Sequence, residues 1–190
     1  MIKIGILGDI GSGKSFVAKS FGYPVFNADE EVARLYQKDK EIFKKLKKSL
    51  PKYIFSFPIR KSEIIEAILA NRNNLKKIIH TVHLEIRKKM YLFLKKNKNK
   101  KFVILDIPLL LENKINKKKD ILIYVQSKKS SILKRLKKRK NFNQKLLKKF
   151  KTIQYSNTFK KKKSHFIIKN DFTKKSVNIG IKNILNELNK

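Results

Sequence analysis

Short apolar runs alternate with longer amphipathic segments along this chain. An apolar run of five or six residues, bounded by polar or turn-forming residues, predicts a β-strand. Five such runs occur, at Ile2–Leu7, Tyr23–Asn27, Phe102–Ile107, Ile121–Val125 and His165–Lys169. Because strands alternating with helices are typical of parallel sheets, the pattern predicts an α/β fold with a five-stranded parallel sheet and helices on both faces.

Between the strands, apolar residues spaced three and four apart predict helices. The predicted helices are 15–21, 30–49, 63–70, 73–94, 130–140, 143–161 and 174–188. The two basic helices 130–140 and 143–161 are predicted to join at Asn141, and the prolines of 50–59 predict an irregular connection there. Neither an internal repeat nor a long linker is present, so we expect a single domain, 1–190.

The charge of the chain is strongly positive, with 49 Lys and Arg against 14 Asp and Glu and a formal net charge of +35. Only six of the basic residues are Arg, and Lys, Asn, Ile and Phe, whose codons are A/T-rich, supply 97 of the 190 residues. A surface that recognises nucleic acid favours arginine, whose planar group matches phosphate and guanine. The charge therefore indicates base-composition drift, with a surface selected for polyanions as the alternative, and no specific nucleic-acid partner is expected.

Three further features favour a cytoplasmic protein. The sequence has no cysteine, which fits a reducing compartment. The strand predicted at Ile2 leaves no signal peptide in this sequence, and no apolar run approaches the roughly 20 residues that cross a bilayer.

The clearest motif lies in the first 15 residues, which contain four of the six glycines. The sequence Gly8-Asp9-Ile10-Gly11-Ser12-Gly13-Lys14-Ser15 fits the P-loop pattern G-x-x-x-x-G-K-[ST], between a predicted strand and a predicted helix. Its glycines allow successive N–H groups to turn towards a phosphate, and the helix N-terminus adds partial positive charge. Lys14 would reach the β- and γ-phosphates and the Ser15 hydroxyl would bind Mg²⁺. The motif predicts binding of a purine nucleoside triphosphate.

Four other residues are candidates for the chemistry. Asp106 ends a predicted strand and is either a second Mg²⁺ ligand or a turn aspartate before Pro108. Asp29 follows the second predicted strand and is either the carboxylate that activates an acceptor or an N-cap of the next helix. Arg135 and Arg139 are predicted to lie on one face of a helix, as cations for a transferring phosphoryl group or as part of a solvated basic face.

A triphosphate site alone is compatible with kinases, GTPases, motor ATPases and transporter subunits. The N-K-x-D motif that reads guanine is absent, and 190 residues without a second domain suit a small-molecule kinase. A kinase for a nucleotide or nucleoside, and a nucleic-acid-associated P-loop NTPase, remain the alternatives.

The sequence resembles the dephospho-coenzyme A kinase family over about residues 1–170. The cradle Gly8–Ser15 is similar to that family's G-G-I-G-S-G-K-S, and Asn27-Ala28-Asp29 is similar to its D-A-D. The later landmarks keep the family's order and spacing, and they are His80, Pro108-Leu109-Leu110-Leu111-Glu112, Arg135 with Arg139, Gln154 and Asn170.

This resemblance implies transfer of the ATP γ-phosphoryl group to the ribose 3′-hydroxyl of dephospho-CoA, the last step of CoA biosynthesis. Asp29 would bind the hydroxyl or take its proton, Lys14, Arg135 and Arg139 would neutralise the phosphoryl group, and His80 would bind substrate. The implied ATP contacts are Gly8, Gly11, Ser12, Gly13, Lys14, Ser15, Phe16 and Asn170. The implied parts are a P-loop core (about 1–29, 100–126 and 163–190), a helical acceptor-binding insertion (about 30–97) and a small helical lid (about 128–161).

Four positions depart from the family pattern. Asp9 replaces a glycine, Asn27 replaces the first aspartate of D-A-D, and Thr81 replaces the proline after His80. The family's glycine after the strand-ending asparagine is missing, because Asn170 is followed by Asp171-Phe172. No catalytic residue type is lost, so we expect an active enzyme.

Overall fold

The computed structural model describes residues 1–139 and 142–189. The helix end predicted at Lys140 and the join predicted at Asn141 lie outside these residues. The chain divides into two compact units. The first contains residues of Met1–Asn27, Asn97–Phe142 and Ile153–Lys190, and the second contains Ala28–Lys96 and Asn143–Thr152.

The first unit is built on a five-stranded parallel sheet with the strand order β2-β3-β1-β4-β5. The strands are β1 (Ile2–Gly8), β2 (Val25–Asn27), β3 (Phe102–Asp106), β4 (Ile121–Gln126) and β5 (Phe166–Lys169). On the central strand β1, Ile4 lies opposite Ile104 of β3 and Ile121 of β4. The predicted parallel sheet is therefore confirmed.

Among the described residues, helices follow every strand except β3, which is connected to β4 without a helix. The helices are α1 (Lys14–Ser20), α2 (Ala28–Lys38), α3 (Lys40–Ser49), α4 (Lys61–Ala70), α5 (Arg72–Lys96), α6 (Lys129–Lys137), α7 (Gln144–Lys151), α8 (Asn157–Lys162) and α9 (Lys174–Leu188). None of the helices within 1–139 and 142–189 is long and apolar enough to span a membrane.

The core of the first unit follows from the alternation of side chains along β1. Ile4 and Ile6 are fully buried and cluster with Val17 of α1 and Ile181 of α9. Gly5 faces the opposite side, where a Cβ would collide with the side chain of Leu110 in the segment after β3. Because both faces of β1 are covered in this way, this strand is a nearly continuous apolar run.

Two of the predicted helices are wrong, because each of them is two separate helices in the structure. The predicted helix 30–49 is divided between α2 and α3, because the Asp39 carboxylate accepts hydrogen bonds from the N–H groups of Glu41 (3.0 Å) and Ile42 (2.9 Å) and starts a new helix. The predicted helix 143–161 is divided between α7 and α8. There the hydroxyl of Ser156 accepts the N–H of Phe159 at 3.1 Å and caps α8.

In the second unit, the predicted irregular connection between α3 and α4 is confirmed. It is held by Glu63, which is 2% exposed. One carboxylate oxygen of Glu63 accepts the N–H groups of Phe55 (3.1 Å) and Ser56 (3.4 Å). A buried carboxylate thus takes the place of the backbone partners that a helix or strand would provide.

Candidate active site

The loop between β1 and α1 is the glycine-rich motif, and it has the conformation that its glycines allow. Gly11 and Gly13 have φ angles of 86° and 90°, in the left-handed region that side chains other than glycine rarely adopt. A Cβ on Gly11 would lie 2.9 Å from Cγ of Leu136, and a Cβ on Gly13 would collide with the Asn170 amide. Both positions therefore require glycine for space as well as for φ.

Two side chains clamp the carbonyl of Ser12, in the middle of this loop. The Asn170 amide donates to it at 2.8 Å, and the Ser127 hydroxyl donates to it at 3.0 Å. Ser127 and Asn170 follow β4 and β5, the two strands on one side of β1. Ser12 and Asn170 are 1% and 2% exposed, so the hydrogen bond between them is shielded from water and ties the loop to the end of β5.

The cation of the motif lies against the same loop. The Lys14 ammonium donates to the carbonyl oxygens of Gly8 (3.2 Å) and Asp9 (2.8 Å). Ser15 and Phe16, the next residues of α1, are exposed. The loop thus presents a cation and a hydroxyl beside its curved backbone.

The carboxylate of Asp9 belongs to the loop too. Its Oδ1 accepts the N–H of Ile10 at 2.7 Å. Burial raises the pKa of the Tyr124 hydroxyl, and the negative charge of Asp9 raises that pKa further. The carboxylate of Asp9 therefore interacts electrostatically with the Tyr124 side chain of β4.

The metal-ligand candidate Asp106 is the last residue of β3 and is 4% exposed. It lies opposite Asn27 in the β2–β3 pairing, and the Asn27 amide donates to its Oδ2 at 2.9 Å. The asparagine that departs from the family pattern therefore fixes the orientation of this carboxylate without adding a second negative charge.

Arg135 and Arg139 are not on one helical face, so this prediction is wrong. Helix α6 ends at Lys137, and Arg139 lies in the bend beyond it. The last buried apolar side chain of α6 is Leu136, and without further apolar burial the helix has little to stabilise another turn. Both arginines are exposed, and the guanidinium carbon of Arg135 lies 4.4 Å from the ring centroid of Phe172.

The remaining two candidates belong to the second unit. Asp29 is exposed in the first turn of α2, which starts directly after β2, and that turn carries the acidic residues Asp29, Glu30 and Glu31. Its charge suits a helix N-terminus. His80 is exposed on α5.

Sequence reasoning missed three features of the first unit. It assigned no role to Ser127 or to the ring of Phe172, and short polar residues after strands gave no distinguishing signal. It also missed the buried ion pair between Lys160 and Glu112, at 3.2 Å. Lys160 is one of 43 lysines, and nothing in the sequence indicates that it is buried.

The chain is similar to known proteins in sequence and in structure. A family model described as dephospho-CoA kinase matches residues 2–176. A dephospho-CoA kinase of Wolbachia pipientis is 34% identical over 191 residues, covering 98% of this chain and 97% of the relative. A solved protein of Thermus thermophilus superposes with a TM-score of 0.75 at 25% identity, covering 98% and 97% of the two chains. A dephospho-CoA kinase of Campylobacter jejuni shares the fold, with a TM-score of 0.61 at 21% identity, covering 98% and 96%.

Proposed function

Because this chain belongs to the dephospho-CoA kinase family, we propose how its own residues perform that family's reaction. The protein is a kinase that uses ATP to phosphorylate dephospho-CoA, with the ribose 3′-hydroxyl as acceptor, and forms CoA. We also propose that it works in the cytoplasm, where ATP is available. The observation that carries the proposal is the clamped loop Gly8–Ser15, whose Ser12 carbonyl is held from two neighbouring strands.

The loop binds the ATP phosphates through backbone N–H groups and through Lys14. The Lys14 ammonium already lies against the carbonyls of Gly8 and Asp9, which keeps the cation at the loop where the phosphates would bind. The contacts assigned to ATP are Gly8, Gly11, Ser12, Gly13, Lys14, Ser15, Phe16 and Asn170. Asn170 contributes through the loop, because its amide bonds to Ser12.

Phosphoryl transfer needs a group that orients the acceptor hydroxyl and cations that stabilise the transition state. We assign the first role to Asp29, whose carboxylate would accept a hydrogen bond from the 3′-hydroxyl and then its proton. Lys14, Arg135 and Arg139 would stabilise the negative charge on the transferring group. We assign acceptor binding to the helical part of about 30–97, with His80 as one contact.

The residues fit a magnesium ion. Ser15 offers a hydroxyl and Asp106 a carboxylate, and Mg²⁺ prefers a few protein oxygens together with phosphates and water. When bound, Mg²⁺ supplies positive charge next to the phosphates. Asn27 would keep the Asp106 carboxylate in a fixed orientation through the hydrogen bond described above.

The test is formation of CoA from ATP and dephospho-CoA, with the product identified by mass spectrometry and by its 3′-phosphate signal in NMR. We expect Asp29→Asn to lower kcat by about 10²–10⁴, as for loss of a general base, whereas Glu30→Gln in the same turn should retain activity. Lys14→Ala should lower kcat by about 10²–10³, and Lys19→Ala, one turn along α1, is its control. Arg139→Lys should lower turnover by about 10³–10⁵ if the arginine stabilises the transition state.

Two outcomes would contradict these roles. A wild-type protein that makes no CoA at any Mg²⁺ concentration, but phosphorylates a nucleoside or nucleotide from an acceptor panel, would contradict the assigned acceptor. Wild-type rates in Asp29→Asn or Arg139→Lys would remove that residue from the mechanism.

A further inference from the structure

Phe172 has a backbone conformation that is unfavourable for its side chain. Its φ angle is 73°, in the left-handed region, and Lys114 is the one other non-glycine residue with positive φ among the described residues. A bulky side chain at such a position is costly and is kept only where the surroundings determine it. Here the Asn170 side chain accepts the N–H of Phe172 at 2.8 Å.

The ring of Phe172 is close to both a cation and the phosphate loop. The guanidinium carbon of Arg135 is 4.4 Å from the ring centroid, within the range of a cation–π interaction. Cε1 of the ring is 3.5 Å from the position that a Cβ on Gly13 would occupy. The ring therefore joins α6 to the residue that precedes Lys14.

The backbone of Phe172 is connected to the same loop. Asn170 bonds at once to Phe172, through its oxygen, and to the Ser12 carbonyl, through its amide. One asparagine thus fixes both the loop and the residue that carries the ring. By contrast, Arg135 is an exposed side chain on the surface of α6. Without a partner for its guanidinium, such a side chain can adopt many rotamers.

We propose that Phe172 is a positioning residue, whose ring holds the Arg135 guanidinium beside the phosphate loop before ATP arrives. The inference rests on the role proposed above for Arg135 as a cation for the transferring phosphoryl group, which is the γ-phosphate of bound ATP. Without the ring, Arg135 spends only part of its time in the productive orientation, so both ATP binding and transfer suffer. Loss of the ring should leave the affinity for dephospho-CoA unchanged.

A matched pair of variants separates the ring from the backbone. Phe172→Tyr and Phe172→Leu both keep a Cβ at the unfavourable φ, but only tyrosine keeps an aromatic face. We expect Phe172→Leu to lower kcat/KM for ATP about three- to tenfold, with unchanged KM for dephospho-CoA, and Phe172→Tyr to restore kcat/KM to within about twofold. Phe172→Gly removes the ring and relieves the backbone, so it should reproduce the kinetic loss without loss of thermal stability.

The Arg135→Gln background tests whether the ring acts through the arginine. In that background Phe172→Leu should have no further effect on kcat/KM. An equal loss with and without Arg135 would overturn the proposal, as would wild-type kinetics in both Phe172→Leu and Phe172→Gly.

Calorimetric titration with ATP alone keeps this test apart from the acceptor assignment. We expect weaker ATP binding in Phe172→Leu, restored in Phe172→Tyr, even if dephospho-CoA proved not to be the acceptor. Equal ATP affinity in wild type, Phe172→Leu and Phe172→Gly would overturn the positioning role, while CoA formation by the wild type would still stand.

Discussion

Removing one partner of the buried ion pair of Glu112 and Lys160 is predicted to destabilise the first unit strongly. The Lys160 ammonium lies 3.2 Å from Oε1 of Glu112 and donates to the Gln154 side chain at 2.8 Å. The same Glu112 oxygen accepts the N–H of Tyr155 at 2.8 Å. The side chains of Lys160 and Glu112 are 2% and 9% exposed, so neither charge has water as a substitute partner.

The expected magnitude follows from that burial. Removing one partner of a buried pair leaves the other charge uncompensated and costs about 3–5 kcal/mol. For a chain of this size each kcal/mol shifts the Tm by about 2–4 °C. Lys160→Met should therefore lower the Tm by about 6–20 °C. Lys162→Met, an exposed lysine on the same helix, should change the free energy of unfolding by no more than about 0.5 kcal/mol.

A double variant tests whether the two charges act as a pair. Lys160→Met with Glu112→Leu removes both charges, and apolar replacements of a buried pair are often neutral. It should be clearly more stable than Lys160→Met alone, in thermal and urea unfolding followed by circular dichroism. If Lys160→Met unfolds like Lys162→Met, or if the double variant is the sum of the two single losses, the pair is not the energetic unit described here.

Four further predictions concern the loop, the metal ligand, a helix cap and acid stability. Gly13→Ala should weaken ATP binding at least tenfold in calorimetry, because its Cβ would displace Asn170 and its φ is 90°; unchanged affinity would show that the clamp tolerates displacement. Asn27→Ala should raise the Mg²⁺ concentration for half-maximal activity about 10–100-fold, since it orients Asp106, and an unaltered Mg²⁺ titration would argue against Asp106 as a ligand. Asp39→Ala should cost about 1 kcal/mol in urea unfolding through loss of the α3 cap, whereas no loss would mean that the cap is dispensable. Hydrogen bonds from Ser176 and Thr173 lower the pKa of Asp171 to about 2 from 3.8, so its stabilisation is complete above about pH 4 and is lost as the pH falls towards 2; the difference in stability between wild type and Asp171→Asn should shrink over that range, and a constant difference would contradict it.

The sheet was predictable because its three inner strands β1, β3 and β4 are buried on both faces, which leaves nearly continuous apolar runs in the sequence. The ends of helices were harder to predict from the sequence, since they depend on single side chains. Asp39 divides one amphipathic pattern into two helices because its carboxylate meets two backbone N–H groups. The apolar periodicity continues across that point, so the pattern alone gives no break.

The candidate site was predictable only where its functional residues are close together in the sequence. The motif Gly8–Ser15 has its glycines, lysine and serine in one short stretch, so their joint purpose is visible in the sequence. Arg139 was predicted to lie on a helical face because basic residues continue past Lys137, so the charge pattern does not indicate that α6 ends there. The burial of Lys160 could not be predicted, because lysine is the commonest residue of the chain and its presence at one position therefore gives little information.

The clamp on Ser12 explains why a motif that is local in sequence depends on distant parts of the chain. Ser127 and Asn170 are separated from Ser12 by 115 and 158 residues, yet both donate to its carbonyl. They reach it because β4 and β5 are parallel to β1 and end at the same edge of the sheet. A parallel sheet brings the carboxyl ends of its strands together whatever their order in the chain, so residues just after those ends can hold a phosphate loop. Residues that position the groups of such a site should therefore be sought just after the strand ends, among polar side chains such as Ser127 and Asn170. Phe172, two residues beyond Asn170, is an apolar side chain in the same segment for which we propose such a role.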